Sequence, residues 1–360
     1  MKVALAVSPL PGLRAGEACA LVCGVWSEVR GDDDVASRLV SDAIAMPYVG
    51  SGADDVLAGP HPQHVERGQA GERHFTYRSA GSVLLDYTHL LHGIPGEGAI
   101  RSSRLVGEDL AWAAREGITD VTVVLPVPGS VSDLGMGLLD PLSAGAQGIG
   151  AQLDAARTRL AGMSVRVLVP GEQPLLGLAG LARSWMASGL SSKEAQDLEN
   201  RFSEIVSTVP GRASGLTIIG DSGGFERNVY AGCGGGIAYV LGLLGVRVFP
   251  IGDVCIEPMR RDIEESDLFV YVCGRIGEDL PSGLLAGSRI AASRGVPVVV
   301  VYDSGAIRKG ELAPLGLNGA YEIRPELAFS DAGATTEELA DLPRRLEELV
   351  GRVARTWGWN

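Results

Sequence analysis

The chain has 360 residues, 46% of them hydrophobic and 21% charged, with a formal charge of −13 at pH 7. The length suggests about two domains, each able to bury a sizeable core. The negative charge argues against non-specific binding to nucleic acid or to an anionic membrane, since both need a positive surface, and no apolar run approaches the ~18 residues of a membrane span.

Val3–Val7 reads as an apolar strand, followed by the turn Ser8-Pro9-Leu10-Pro11-Gly12 and a helix from about Arg14 to Val29. Ala18, Leu21, Val22 and Val25 give that helix a core-facing stripe. Five cysteines, Cys19, Cys23, Cys233, Cys255 and Cys273, form no CxxC pair and sit mostly in apolar runs. Reduced, buried thiols in a cytoplasmic protein are the expectation. Cys19 and Cys23 share a helical face, but a zinc site needs further ligands nearby. Asp32-Asp33-Asp34 reads as a solvated turn.

From Ala45 to Gly71 the chain is rich in Gly, Pro and His, with little periodicity. His74–Arg78 and Ser82–Tyr87, joined at Ala80-Gly81, predict a hairpin and with it a small inserted domain. The spaced pairs His61/His64 and His89/His92 read as structural or surface histidines. A helix over Ser103–Glu116 feeds the strand 121–125, whose loop holds Gly129 and Ser130 and ends on Asp133. A helix over Gly148–Leu160 leads to the strand Val165–Val169 and a loop bearing Glu172. Ser191–Val206 is a well-signalled helix, with a serine cap and Glu194 in its first turn. Leu216–Ile219 opens Gly220-Asp221-Ser222-Gly223-Gly224, and Gly232–Gly236 precedes an apolar helix over Ile237–Leu244. The strands Val246–Pro250, Leu268–Cys273 and Val296–Tyr302 follow, the second ending in a loop with Glu278 and Asp279. In the terminal helix Thr335 and Glu338 suggest a capping box, and Pro343 predicts a kink or restart.

Apolar strands that end in acid-bearing loops fit a parallel sheet with a ligand crevice at its carboxyl edge. The predicted crevice gathers Asp133, Glu172, Glu278 and Asp279. No P-loop motif occurs, and Gly232–Gly236 does not make a dinucleotide fingerprint. Carboxylates with glycine-rich backbone remain, a combination that suits Mg²⁺ and a nucleotide phosphate.

The runs Val3–Gly12, Gly107–Leu139, Gln173-Pro174-Leu175-Leu176-Gly177, Gly232–Gly252, Leu268–Asp279 and Gly295-Val296-Pro297-Val298, in this order, resemble the glycerate kinase family of the two-domain α/β type. The resemblance implies a doubly wound, Rossmann-like parallel sheet (1–45, 96–200 and 255–360) with a second, smaller α+β domain inserted (46–95 and 201–254). It implies ATP-dependent phosphorylation of glycerate or a similar small hydroxy-acid in an interdomain cleft, with Mg²⁺ and ATP as cosubstrate. Within that scheme Asp133 orients or deprotonates the hydroxyl, Arg14 and Arg275 clamp charge, and Glu172 and Asp279 hold metal. Gly129, Ser130, Gly234, Gly235 and Gly236 line substrate and nucleotide. The expected partners are these small molecules, with no nucleic acid and no membrane, and self-association stays open. The family pattern is also broken: Ser8 and Pro11 stand where it carries Asp and Lys, the loop Met46–Gly52 lacks acids, and Pro170, Glu172 and Gln173 replace two Asp and an Asn. Those losses define the alternative, a homologue that keeps the fold as a small-molecule sensor or partner-binding protein.

Overall fold

The structure, a computed structural model, describes residues 1–44, 53, 68–70, 73–75, 77–79, 81–91, 102–209, 225–276, 280–305, 307, 309–325 and 336–358. Its strands are β1 (Lys2–Val7), β2 (Asp34–Leu39), β3 (Gly68–Ala70), β4 (Arg73–Phe75), β5 (Tyr77–Ser79), β6 (Ser82–Asp86), β7 (Asp120–Val124), β8 (Ser164–Val169), β9 (Arg247–Pro250), β10 (Leu268–Ile276), β11 (Val298–Gly305) and β12 (Gly319–Glu322). The longer helices are α1 (Ala15–Val29), α2 (Arg104–Arg115), α3 (Ile149–Leu160), α4 (Ser192–Thr208), α5 (Ile237–Leu243), α6 (Ser282–Arg294) and α7 (Thr336–Trp357). The strand expected at 216–219 with its loop, the loop 46–52, the residues His61, His64, His92, Glu278 and Asp279, and the capping residue Thr335 lie outside the described residues.

The chain divides into two compact units, Met1–Gly59 with Ile251–Asn360, and Pro60–Pro250. The first holds a five-stranded sheet in the order β12-β11-β10-β1-β2, parallel throughout. Alternation on β1 aims Val3, Leu5 and Val7 into one core with Val22 and Trp26 of α1 and Leu342, Leu346, Val350 and Val353 of α7. Each such side chain contributes roughly 1.5–3 kcal/mol when buried. Helix α7 continues through Pro343, where the sequence predicts a kink or restart; the one backbone bond a proline removes is outweighed by the apolar stripe around it.

Nothing in the sequence announces β2, because an edge strand reading Asp-Val-Ala-Ser-Arg-Leu shows little apolar signal. The preceding acids are not all solvated either. The Asp33 side chain is buried and accepts from Trp26 Nε1 at 3.1 Å and Arg30 Nε at 3.4 Å. Burial opposes its ionisation, but these bonds hold the carboxyl below its ordinary value. On α1, Cys19 and Cys23 lie one turn apart with their sulfurs 3.9 Å from each other. The bond from the Cys19 thiol draws Cys23 down to about 6, against the effect of burial, while the same bond and burial push Cys19 up. All five cysteines are free thiols, as expected, and four are buried.

In the second unit β6, β7, β8 and β9 form a parallel ladder, and β5 pairs antiparallel with β6. The strand expected at His74–Arg78 is divided: Arg73–Phe75 pairs with β3, and only Tyr77–Ser79 pairs with β6. The inward positions of the ladder are Val83, Leu85, Val121, Val123, Val167 and Val169. They pack with Leu110 of α2, Leu153 of α3, Phe202 of α4 and Ile237 of α5. Helix α4 starts as its sequence predicts: Ser191 Oγ accepts from the Glu194 amide, and Glu194 accepts from the Ser191 amide. Because this ladder joins strands from 82 to 250, residues 96–200 belong with the second unit, not the first as the sequence suggested. The second unit accordingly carries a parallel sheet of its own.

Candidate functional site

In the first sheet the chain steps from β1 outward to β2, then from β10 through β11 to β12 in the opposite direction. The order therefore reverses between β1 and β10, and in doubly wound sheets the ligand crevice lies beyond the carboxyl ends of the strands at such a reversal. Ser8 closes β1 there, its amide bonded to Val272 O at 2.9 Å. In the second unit β6 to β9 are sequential neighbours, so its parallel strands create no reversal.

Asp42, just past β2, is a carboxylate that sequence reasoning missed. It is buried and accepts from Tyr271 Oη of β10 at 2.5 Å, from the Ser8 hydroxyl and from the Gly283 amide at the start of α6. Burial pushes its carboxyl above the ordinary value, and the three bonds oppose that shift. Burial and the adjacent Asp42 likewise raise the Tyr271 phenol. One carboxyl group thus ties β1, β2, β10 and α6 together at the reversal. The available signal was an acid directly after an edge strand, and it stays hidden as long as β2 itself is not recognised.

Both predicted charge clamps belong to the first unit, at the head of α1 and near the end of β10. Arg14 follows the turn after β1 and is half-buried at the head of α1, its amide donating to Glu17 Oε2 at 2.9 Å. Arg275 is exposed near the end of β10. Next to β10, Asp303 at the end of β11 and Arg324 past β12 form a buried two-pronged pair, Nε to Oδ1 at 2.6 Å and Nη2 to Oδ2 at 2.7 Å.

The remaining described candidates sit in the second unit, most of them in a junction between the loop after β7 and the run Gly232–Gly236. Gly234, Gly235 and Gly236 all have positive φ. Their amides are spent on Pro126 O at 2.9 Å, Pro128 O at 2.7 Å and Gly232 O at 3.1 Å. A Cβ on Gly129 would meet the Gly234 backbone at 2.6 Å, and one on Gly135 would meet Gly236 O at 2.6 Å. The Gly129 carbonyl accepts from Trp185 Nε1 at 2.8 Å. Ser130 is fully buried, and its amide donates to Leu91 O. The glycines let two loops lie backbone to backbone; the phosphate cradle expected at 234–236 has no amides left to offer.

Asp133 is equally occupied. Its Oδ2 accepts from Ser102 Oγ at 2.9 Å, Ser103 N at 2.8 Å and Ser103 Oγ at 3.0 Å, and its Oδ1 from Gly135 N at 3.0 Å. The carboxylate thus fastens the loop after β7 to the head of α2, where a negative charge is favoured. Asp133→Ala is expected to lower the stability of the second unit by roughly 2–4 kcal/mol, the cost of stranding several donors. Urea unfolding of that variant measures it; unchanged stability with lost activity would return Asp133 to a catalytic role.

Glu172 is exposed, while its neighbour Gln173 is buried and bridges to Val229, Gly232, Pro174 and Ala179. Among the described residues no three His, Cys, Asp or Glu side chains converge as a metal site. Of the two residues expected to hold Mg²⁺, Glu172 belongs to no such group, and Asp279 lies outside the described residues. Gly220-Asp221-Ser222-Gly223-Gly224 has the spacing of a G-x-S-x-G elbow and lies outside the described residues.

No family model matches the chain. Two curated proteins, both described as uncharacterized, from Mycobacterium bovis and Mycobacterium tuberculosis, are 28% identical over 263 residues, which is 71% of this chain and 63% of theirs. The aligned part thus spans under two thirds of the length of those relatives. The fold is similar to that of a solved protein described as "putative glycerate kinase 2" from Salmonella typhimurium LT2. The match covers 99% of this chain and 98% of the other, with a TM-score of 0.65 and 16% sequence identity. At that identity the likeness is one of fold, and it agrees with the α/β class expected from the sequence. Among the described residues no helix is long and apolar enough to cross a membrane.

Proposed function

We propose that this chain is a glycerate kinase-like phosphotransferase that takes a small hydroxy-acid at the carboxyl edge of the first sheet. The observation that carries this reading is the whole-length fold likeness to the solved Salmonella protein. Arg14, at the head of α1, and Arg275, near the end of β10, would supply the positive charge that a carboxylate ligand needs. Arginine suits this task through its planar fork of donors.

A second reading, binding without transfer, is favoured by the spent glycine amides and the engaged Asp133. One experiment separates the two. Purified protein with Mg²⁺·ATP and millimolar D-glycerate is expected to release ADP above an acceptor-free control, with Arg275→Met slower by about tenfold or more, an effect of ~1.4 kcal/mol. No ADP release, together with a rise in melting temperature on adding D-glycerate, would replace the first reading with the second. No release and no shift would overturn both.

A further inference from the structure

The thiol pair on α1 is absorbed neither by the fold nor by the proposed function. Cys19 and Cys23 belong to one face of one helix, and their sulfurs are 3.9 Å apart and in direct contact as donor and acceptor. Ser37, exposed on β2, stands near enough to the pair to lower both thiols. β2 is the terminal strand of its sheet, and Cys23 is half-exposed, so solvent reaches the pair. Cys233, Cys255 and Cys273 are buried.

Geometry decides what such a pair can do. Residues four apart on a helix hold their Cβ atoms about 5–6 Å from each other, whereas a disulfide needs about 3.5–4.5 Å. A disulfide would therefore require α1 to open. A bridging cation imposes no such demand. With metal–sulfur bonds of about 2.3 Å, two sulfurs 3.9 Å apart subtend roughly 115° at the metal, close to tetrahedral.

We propose that Cys19 and Cys23 form a two-thiolate site for a thiophilic divalent cation, whose remaining positions are filled by water or an added ligand. Each thiol gives its proton to solvent and a sulfur electron pair to the cation, so binding releases up to two protons and changes no oxidation state. The Ser37 hydroxyl then donates to a sulfur from outside the coordination shell. Soft thiolate donors select against Mg²⁺ and Ca²⁺.

The test titrates the fully reduced, full-length chain with Cd²⁺, following the thiolate-to-metal absorption band in the ultraviolet and the protons released. The expected result is one site per chain, weakened at least tenfold in Cys19→Ser and in Cys23→Ser, each confirmed as folded by its melting curve. A second measurement needs no variant: Cd²⁺ should protect the Cys19 and Cys23 peptides of the unaltered protein from iodoacetamide, as read by mass spectrometry. An undiminished band in the Cys19→Ser/Cys23→Ser double variant, no band in the unaltered protein, or no protection of these two cysteines would overturn the proposal.

Discussion

Gly235→Ala is expected to cost the second unit about 2–5 kcal/mol, combining a left-handed backbone with overpacking. Gly235 has φ +71°, and a Cβ there would run into the Val131 carbonyl and side chain. Neither partner can yield, because the Gly235 amide is held on Pro128 O at 2.7 Å, and Val131 is fully buried. Gly145 supplies the control: its φ is +87°, but no heavy atom lies within 4 Å of an added Cβ. Gly145→Ala should therefore show only the backbone part, roughly 1–2 kcal/mol. Urea midpoints of the two variants isolate the clash. If Gly235→Ala unfolded like Gly145→Ala and differed only in ligand binding, the glycines would line a ligand after all.

Asp303→Ala should be the most damaging single change in the first unit, costing about 3–5 kcal/mol as a buried charge loses its partner. Arg324 is 1% exposed, and its Nη1 is already buried without a hydrogen bond. Removing Asp303 would strand the whole guanidinium. The backbone beside the pair also pins β12, the terminal strand, since Arg324 N donates to Asp303 O at 2.8 Å and Ile323 N to Tyr302 O at 2.9 Å. Adding Arg324→Met to Asp303→Ala should recover most of the loss, because an apolar side chain of similar volume leaves no charge to desolvate. Thermal unfolding of the single and double variants checks both statements. A single variant within ~0.5 kcal/mol of the unaltered protein, the usual range for a surface change, would show that water reaches the pair.

How far the sequence could be read depended on where each signal resides. Val121–Leu125, Val165–Val169 and Leu268–Cys273 announce buried parallel strands because both faces are largely apolar. The Ser191/Glu194 box announces its helix because the signal is complete within four residues. Asp133 was visible as an acid at a strand end, but its role was not: its partners Ser102 and Ser103 lie 31 and 30 residues upstream. The glycine run at 234–236 looked like a phosphate loop for the same reason. Positive φ and a missing Cβ serve a nearby anion and a nearby backbone equally well, and local sequence does not distinguish them.

By itself the sequence determined the α/β class, the unpaired thiols and the helix and strand periods, which follow from residue type and hydrophobic spacing along neighbouring residues. Only the tertiary structure decided which strands share a sheet, and so that 96–200 joins the second unit and that the order reverses between β1 and β10. It also decided that Asp42, not Asp133, stands at that reversal. Strand pairing and buried hydrogen bonds depend on groups far apart in the chain, and those distances are closed only by the folded core.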